Sequence, residues 1–160
     1  MRQSRFPLRL NVGFVLTLPL GDSREVPFEF AKITLAPELE MSDFKGQTRF
    51  GRARQGILLQ GDFEAWINQE CNRCLEPFPY RISTYVEELY ALDERNATES
   101  GLILPQDGNI DLAPIVREYL TMEIPIQPIC KPDCKGLCPE CGQNLNQGTC
   151  IHRQATQPRL

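Results

Sequence analysis

Histidine and tryptophan are nearly missing from this chain: one of each occurs in 160 residues. A single histidine leaves little for general acid–base work, and no P-loop, nucleophile elbow or dinucleotide fingerprint is present. The chain is therefore expected not to be an enzyme and to have no small-molecule substrate. It also lacks any run of roughly 20 apolar residues, the length a membrane-spanning helix requires. Positive charge is short as well, with a formal net charge of −4. Non-specific nucleic-acid binding neutralises phosphates with Lys and Arg. An acidic chain can do this only through a local patch or with a partner's help. Paired acids such as Glu87-Glu88 and Asp93-Glu94 read as a solvated face.

What is present suffices for a core. Hydrophobic residues make up 41% and charged residues 24%, an ordinary globular balance. Arg2, Arg5 and Arg9 precede an apolar stretch over residues 12–20, which raises the question of a signal peptide. However, Leu8, Leu10, Val12, Phe14, Leu16 and Leu18 alternate with other residues, and only Leu-Gly-Asp-Ser follows, with no small-residue cleavage site. This period of two predicts a half-buried strand over residues 8–18.

Further strands are expected. Gly21-Asp22-Ser23 is a turn signal, and Val26, Phe28 and Phe30 alternate after it. Residues 37–46 leave a short helix and a loop both open. Runs over 54–60 and 62–70 flank Gln60-Gly61, read as a hairpin turn, with Phe63, Ala65 and Ile67 on one face. After Cys71-Asn-Arg-Cys74 comes a strand with Phe78, Tyr80, Ile82 and Val86 on one face. Residues 91–109 read as an exposed loop. The period then changes: Leu112, Ile115, Val116, Tyr119 and Leu120 form the stripe of an amphipathic helix. Asp111 is expected as its N-cap, Pro114 sits in the first turn, and Pro125 and Pro128 end the helix near Glu123. The fold class is α+β: a mainly antiparallel sheet, one amphipathic helix and a C-terminal zinc-knuckle segment. The expected division is a β-rich domain over 1–129, with the helix at about 111–123, a zinc-binding segment over 130–152, and a flexible tail over 153–160.

The seven cysteines are the chemistry. Seven is odd, so a complete intramolecular disulfide set is impossible, and thiolate ligands in a reducing compartment are expected. Their order is Cys71-x2-Cys74, then Cys130-x3-Cys134-x3-Cys138-x2-Cys141, then Cys150-x-His152. Pairs this close suit turns that aim two thiolates at one ion, and zinc asks for four ligands in a tetrahedron. Eight candidate ligands make two complete sites. One partition places Cys71, Cys74, Cys130 and Cys134 on one zinc, and Cys138, Cys141, Cys150 and His152 on another. A rival has a single zinc on Cys134, Cys138, Cys141 and Cys150, and a second rival closes one site from the two C-x2-C pairs. The first is favoured, because its second site would order a coreless tail through metal binding. Iron–sulfur ligation also takes four cysteines, but the glycine after Cys141 and the Cys-x-His end argue for zinc. A redox use of Cys71 and Cys74 is the alternative function; such pairs typically sit beside a helix in a βαβ unit, which this context lacks. Arg49, Arg52 and Arg54 around Phe50 form a candidate nucleic-acid patch, in which the arginines hold phosphates and the ring stacks on a base.

The order of these pieces resembles the YceD family, the large ribosomal RNA subunit accumulation proteins of bacteria and plastids. The resemblance is carried by Cys-Asn-Arg-Cys-Leu-Glu-Pro-Phe at 71–78 and by Asp111-Leu112 opening a helix that ends in Glu-Ile-Pro at 123–125. Above all it is carried by Cys-Lys-Gly-Leu-Cys-Pro-Glu-Cys-Gly-Gln-Asn-Leu-Asn at 134–146. It implies a cytoplasmic, non-catalytic factor in accumulation of the large-subunit ribosomal RNA. The implied partners are that RNA, a large-subunit ribosomal protein or another assembly factor. One departure is visible: the family's block often ends Cys-x-Cys, where this chain has Cys150-Ile-His152. Members without the C-terminal block still resemble this chain at 71–74, which implies that Cys71 and Cys74 have partners outside that block.

Overall fold

A computed structural model of the chain describes residues 6–154. Arg2, Arg5 and residues 155–160 of the expected tail lie outside the described residues. The chain divides into two compact units. The first comprises residues 6–67 and 81–123, and the second residues 68–80 and 124–154. As expected from the sequence, the architecture is mainly antiparallel β with one substantial helix.

Strand β1 (Arg9–Asn11) pairs antiparallel with β6 (Asn109–Asp111). Strands β2 (Ser23–Leu35), β3 (Leu39–Arg52), β4 (Gly56–Glu70) and β5 (Pro77–Ala91) form a four-stranded sheet in that order. The link from β4 to β5 is too short for a parallel crossover, which takes a dozen or more residues. The inner face of this sheet carries Phe44, Phe50 and Phe63, all essentially fully buried. The Phe44 and Phe63 rings lie tilted with centroids 5.9 Å apart. Each phenylalanine of this kind contributes roughly 1.5–3 kcal/mol by leaving water.

Helix α1 (Ala113–Met122) buries Ile115, Val116 and Leu120, the stripe expected from the periodicity. Asp111 sits one position before the N-cap, which is Leu112. Its carboxylate nonetheless accepts the Ala113 N–H at 3.0 Å, satisfying one of the donors a helix start leaves open. Tyr119 donates its hydroxyl to Glu88 on β5 at 2.8 Å. Among the described residues no helix is long and apolar enough to cross a membrane.

Three expectations are corrected. The strand over 8–18 shrinks to β1, followed by a 3-10 helix over Gly13–Thr17. The Asn11 side chain accepts the Gly13 N–H at 3.0 Å, turning the backbone out of the ladder. Leu8, Val12 and Val15 are then the residues that reach the core. Residues 37–46 are neither helix nor loop beyond a turn; β3 begins at Leu39. A bulge between Ser42 and Lys45, with Asp43 at φ 46°, shifts the buried set from Met41 to Phe44. The alternation is interrupted there, as bulges do. Finally, Gln60-Gly61 is no hairpin: β4 runs straight through it, with Gly61 opposite Thr48. A Cβ on Gly61 would lie 2.9 Å from the Thr48 methyl and 3.1 Å from the Phe63 ring. The glycine marks a close approach inside a strand rather than a turn.

Candidate metal centres

The second unit has almost no hydrocarbon core. Apart from Pro128, Gly136 and Leu145, every buried residue described in it is a cysteine. The eight candidate ligands fall into two groups, Cys71/Cys74/Cys130/Cys134 and Cys138/Cys141/Cys150/His152. Within each group the ligand atoms all lie within 4.8 Å of one another.

In the first group the Cys71 and Cys134 sulfurs are 3.8 Å apart, as are those of Cys74 and Cys130. Four sulfurs at about 2.3 Å from a zinc ion stand about 3.8 Å from each other at tetrahedral angles. The cage therefore has the dimensions of a thiolate-ligated metal, and both sulfur pairs are beyond bonding distance for a disulfide. The hairpin between β4 and β5 builds half of it. Cys71 N–H donates to the Glu76 carbonyl at 3.0 Å, and Leu75 N–H donates back to the Cys71 carbonyl at 2.8 Å. Leu75 adopts φ 59° to do so. The other half is hung on the hairpin by Asn72 N–H, which donates to the Pro128 carbonyl at 2.9 Å. Phe78 packs against Cys71, Cys74 and Cys134.

Burial pushes the Cys71 thiol up, but N–H groups of Cys130, Cys74 and Arg73 outweigh it and hold the pKa at about 6. Two of these bonds, from Arg73 and Cys130, measure 3.4 Å each. Cys134 is lowered too: its burial is outweighed chiefly by the Asn146 amide, which donates to its sulfur at 3.3 Å. Cys130 goes the other way, driven by burial and the adjoining sulfurs to about 12. Four sulfurs this close cannot all be thiolates unless a cation neutralises them.

The second group is built on a matching knuckle. Gly142, at φ 72°, donates its N–H to the Cys138 carbonyl at 2.8 Å, and Cys138 N–H donates to the Gln143 carbonyl at 2.9 Å. N–H groups of Cys141 and Glu140 lower the Cys138 thiol to about 7 against its burial. Cys150 precedes the single-turn helix α2 (Ile151–Gln154), which carries His152. Cys138 and Cys150 are buried around Leu145, whereas Cys141 and His152 are exposed. Soft thiolates with at most one imidazole are a donor set for zinc or an iron–sulfur centre. Each group offers four protein donor atoms that could hold one metal ion.

Reading the sequence for ligands alone passed over the residues that hold these ligands. Arg73 donates to the Cys134 carbonyl at 3.1 Å and accepts Leu137 N–H at 3.1 Å through its own carbonyl. Asn144 and Asn146 hydrogen-bond each other and reach Glu76 and Cys134. The signal available was the Asn-x-Asn spacing directly after a knuckle, since short amides favour turns.

The expected nucleic-acid patch is not assembled as a stacking unit. Phe50 is 0% exposed and belongs to the core of the first unit, so its ring is closed to a base. Arg49 pairs with Glu25 at 3.0 Å. Arg52 is half-buried, with an Nη1 that finds no partner, and Arg54 is exposed.

Comparison with known proteins places these residues in context. The family described as Large ribosomal RNA subunit accumulation protein YceD matches residues 59–160. That span contains all eight candidate ligands. An uncharacterized protein of Mycobacterium tuberculosis is 32% identical over 111 residues, covering 66% of this chain and 53% of its own length. A chloroplastic protein of Zea mays, named large ribosomal RNA subunit accumulation protein YCED homolog 1, is 45% identical over 126 residues, with 59% and 43% covered. The uncharacterized Bacillus subtilis protein YlbN is 35% identical over 78 residues, covering 46% and 44%. The chain spans about half the length of the curated relatives it matches. No solved structure matches it.

Proposed function

The chain belongs to the YceD family of large ribosomal RNA subunit accumulation proteins, and on that premise we propose that it is a non-catalytic zinc-binding factor that promotes accumulation of the large-subunit ribosomal RNA and assembly of the large subunit. The observation that carries the metal part is the sulfur spacing: two four-ligand cages, with pairs in the first at the 3.8 Å edge of a zinc–thiolate tetrahedron. Cys71, Cys74, Cys130 and Cys134 hold one zinc; Cys138, Cys141, Cys150 and His152 hold the other. When bound, each ion neutralises its thiolates and supplies the folding energy that the second unit's sparse core does not. Protein ligands fill all four positions, which leaves no open site for water activation and favours a non-enzymatic role.

The redox alternative is disfavoured by access. Thiol exchange needs an exposed thiolate, and Cys71 is fully buried while Cys74 is 4% exposed. The partner is the large-subunit ribosomal RNA, one of its ribosomal proteins or another assembly factor, met in the cytoplasm. The net charge of −4 favours a protein-assisted contact over unaided binding to phosphates.

Two measurements test the proposal. Elemental analysis of the full chain purified without added metal is expected to return two zinc ions; iron, or no metal, would sink the zinc reading. Cells depleted of the protein are expected to show a lower ratio of large- to small-subunit ribosomal RNA, restored by the intact chain. An unchanged ratio would remove the functional assignment.

A further inference from the structure

We propose that Asn146 couples the two metal centres, so that filling the Cys138/Cys141/Cys150/His152 centre tightens the hold of the Cys71/Cys74/Cys130/Cys134 centre on its own ion. The inference rests on the two-zinc reading above and deepens it.

The coupling begins in two consecutive residues that serve different centres. Leu145 is 4% exposed and packs with Cys138 and Cys150, forming the apolar wall of the C-terminal centre. Asn146, next in the chain, sends its amide to the Cys134 sulfur at 3.3 Å. Its side-chain oxygen accepts the Lys135 N–H at 2.9 Å, beside that same ligand. Both its backbone and side-chain N–H groups are fixed by the Asn144 oxygen, at 3.0 and 2.9 Å. The amide is thus tightly aimed, but only while the segment that carries it stays folded.

Outside the knuckle's own turn and a 3.4 Å contact from the Asn144 amide to Glu76, that segment has few bonds to hold it. Leu145 N–H donates to the Gly136 carbonyl at 2.9 Å, and Leu137 faces Asn144 in a single isolated bridge. Cys138 and Cys141, two ligands of the C-terminal centre, lie inside the loop that these bonds close. An ion on those ligands orders the loop and delivers Asn146 to Cys134. Loss of that ion frees the loop and withdraws the donor. Hydrogen bonds to a ligating sulfur stabilise its thiolate form, and partners of this kind are typically worth 10- to 100-fold in metal affinity. Linkage makes the effect reciprocal, so the first centre strengthens the second by the same factor.

The test is a double-mutant cycle on the full chain, read by zinc displacement of bound cobalt(II). The ligand-field bands of cobalt distinguish a four-sulfur site from one with three sulfurs and a nitrogen. With the C-terminal centre intact, N146A is expected to weaken zinc at the four-sulfur site about tenfold. With that centre broken by Cys138→Ser and Cys141→Ser, the site is already weakened to the same degree, and N146A is expected to change it less than twofold. Asn146→Leu, close in volume and uncharged but without the donor, is the second variant should N146A fail to take up two ions, and the same pattern is expected of it. Equal losses in both backgrounds, or no loss in either, would overturn the coupling. A wild-type chain that saturates with fewer than two cobalt ions would instead overturn the two-site reading itself.

Discussion

Leu75 and Gly142 occupy the same place in two matching turns: each follows the second cysteine of a C-x2-C pair, adopts a left-handed backbone and donates its N–H to the carbonyl of the first cysteine at 2.8 Å. Only one of them is a glycine. For a non-glycine residue this conformation costs roughly 1–2 kcal/mol, so the first knuckle carries strain that the second avoids.

The two positions should therefore respond in opposite directions. Nothing lies within 4 Å of a Cβ added at Gly142, so Gly142→Ala meets no clash and pays only the backbone cost. A loss of about 1 kcal/mol, or roughly fivefold in metal affinity at the C-terminal centre, is expected in competition with a chromophoric chelator. Leu75→Gly relieves strain but gives part of the gain back as unfolded-state entropy. It is expected to leave the first centre as tight or tighter. A marked loss in Leu75→Gly would mean that the exposed leucine side chain itself matters.

Cys138→Ser tests whether the second unit is organised by metal rather than by hydrocarbon. Cys138 is 3% exposed and shares its cluster only with Leu145 and Cys150. Replacing it removes one of the four candidate ligands of that group and leaves a poorly partnered hydroxyl in its place. Limited proteolysis is expected to cut within residues 136–150 of the variant and not of the metal-loaded parent, with metal content reduced. Identical protease resistance and metal content would mean that the sulfur cluster is dispensable for folding.

The clustering of the cysteines and the helix were legible because they depend on residue type and spacing. Cysteines two or three apart announce side chains that meet in one group, and the stripe from Leu112 to Leu120 announces a helix, because both signals are local. Legibility failed where a long-range contact overrode a local one. Gly61 resembles a turn residue until Thr48 and Phe63 close over it. The run from Leu8 to Leu18 resembles a strand until Asn11 bends it away. Phe50 between arginines resembles a nucleic-acid contact, yet strand pairing points its ring into the core. Asn146 was invisible as a site residue because its partner, Cys134, lies across a fold of the chain that spacing alone does not predict.

In the first unit, Tyr119→Phe isolates one hydrogen bond from its packing. The Tyr119 hydroxyl donates to Glu88 at 2.8 Å, and that bond is the main reason its pKa is raised. Removing the oxygen keeps the ring, so a loss of about 1 kcal/mol or somewhat more is expected in urea unfolding, with bound metal unchanged. No change in midpoint would show that the contact is fully exchanged with water.

The metal-free chain should reveal which thiols the backbone has prepared for a cation. Cys71 is held at about 6 and Cys138 at about 7, both below the ordinary thiol value, because N–H groups favour the charged sulfur. A lowered folded-state pKa stabilises the fold above the ordinary value, and the benefit is lost as pH falls through the lowered one. For Cys71 that window runs from about 9 down to about 6, and for Cys138 from about 9 down to about 7. Cys130, raised to about 12, contributes in the opposite sense and resists charging as pH rises. The ultraviolet absorbance of thiolate in the reduced, metal-free chain is expected to show one step near pH 6 that Cys71→Ser removes. The loop that carries Cys138 is freed when its ion is lost, so no second step near pH 7 is expected from it in the metal-free chain. Zinc uptake at neutral pH should then release fewer protons than there are cysteine ligands, since the Cys71 sulfur is already largely ionised. A titration with every thiol near its ordinary value would mean that the knuckles form only around the ion, and that their N–H groups do not wait for it in place.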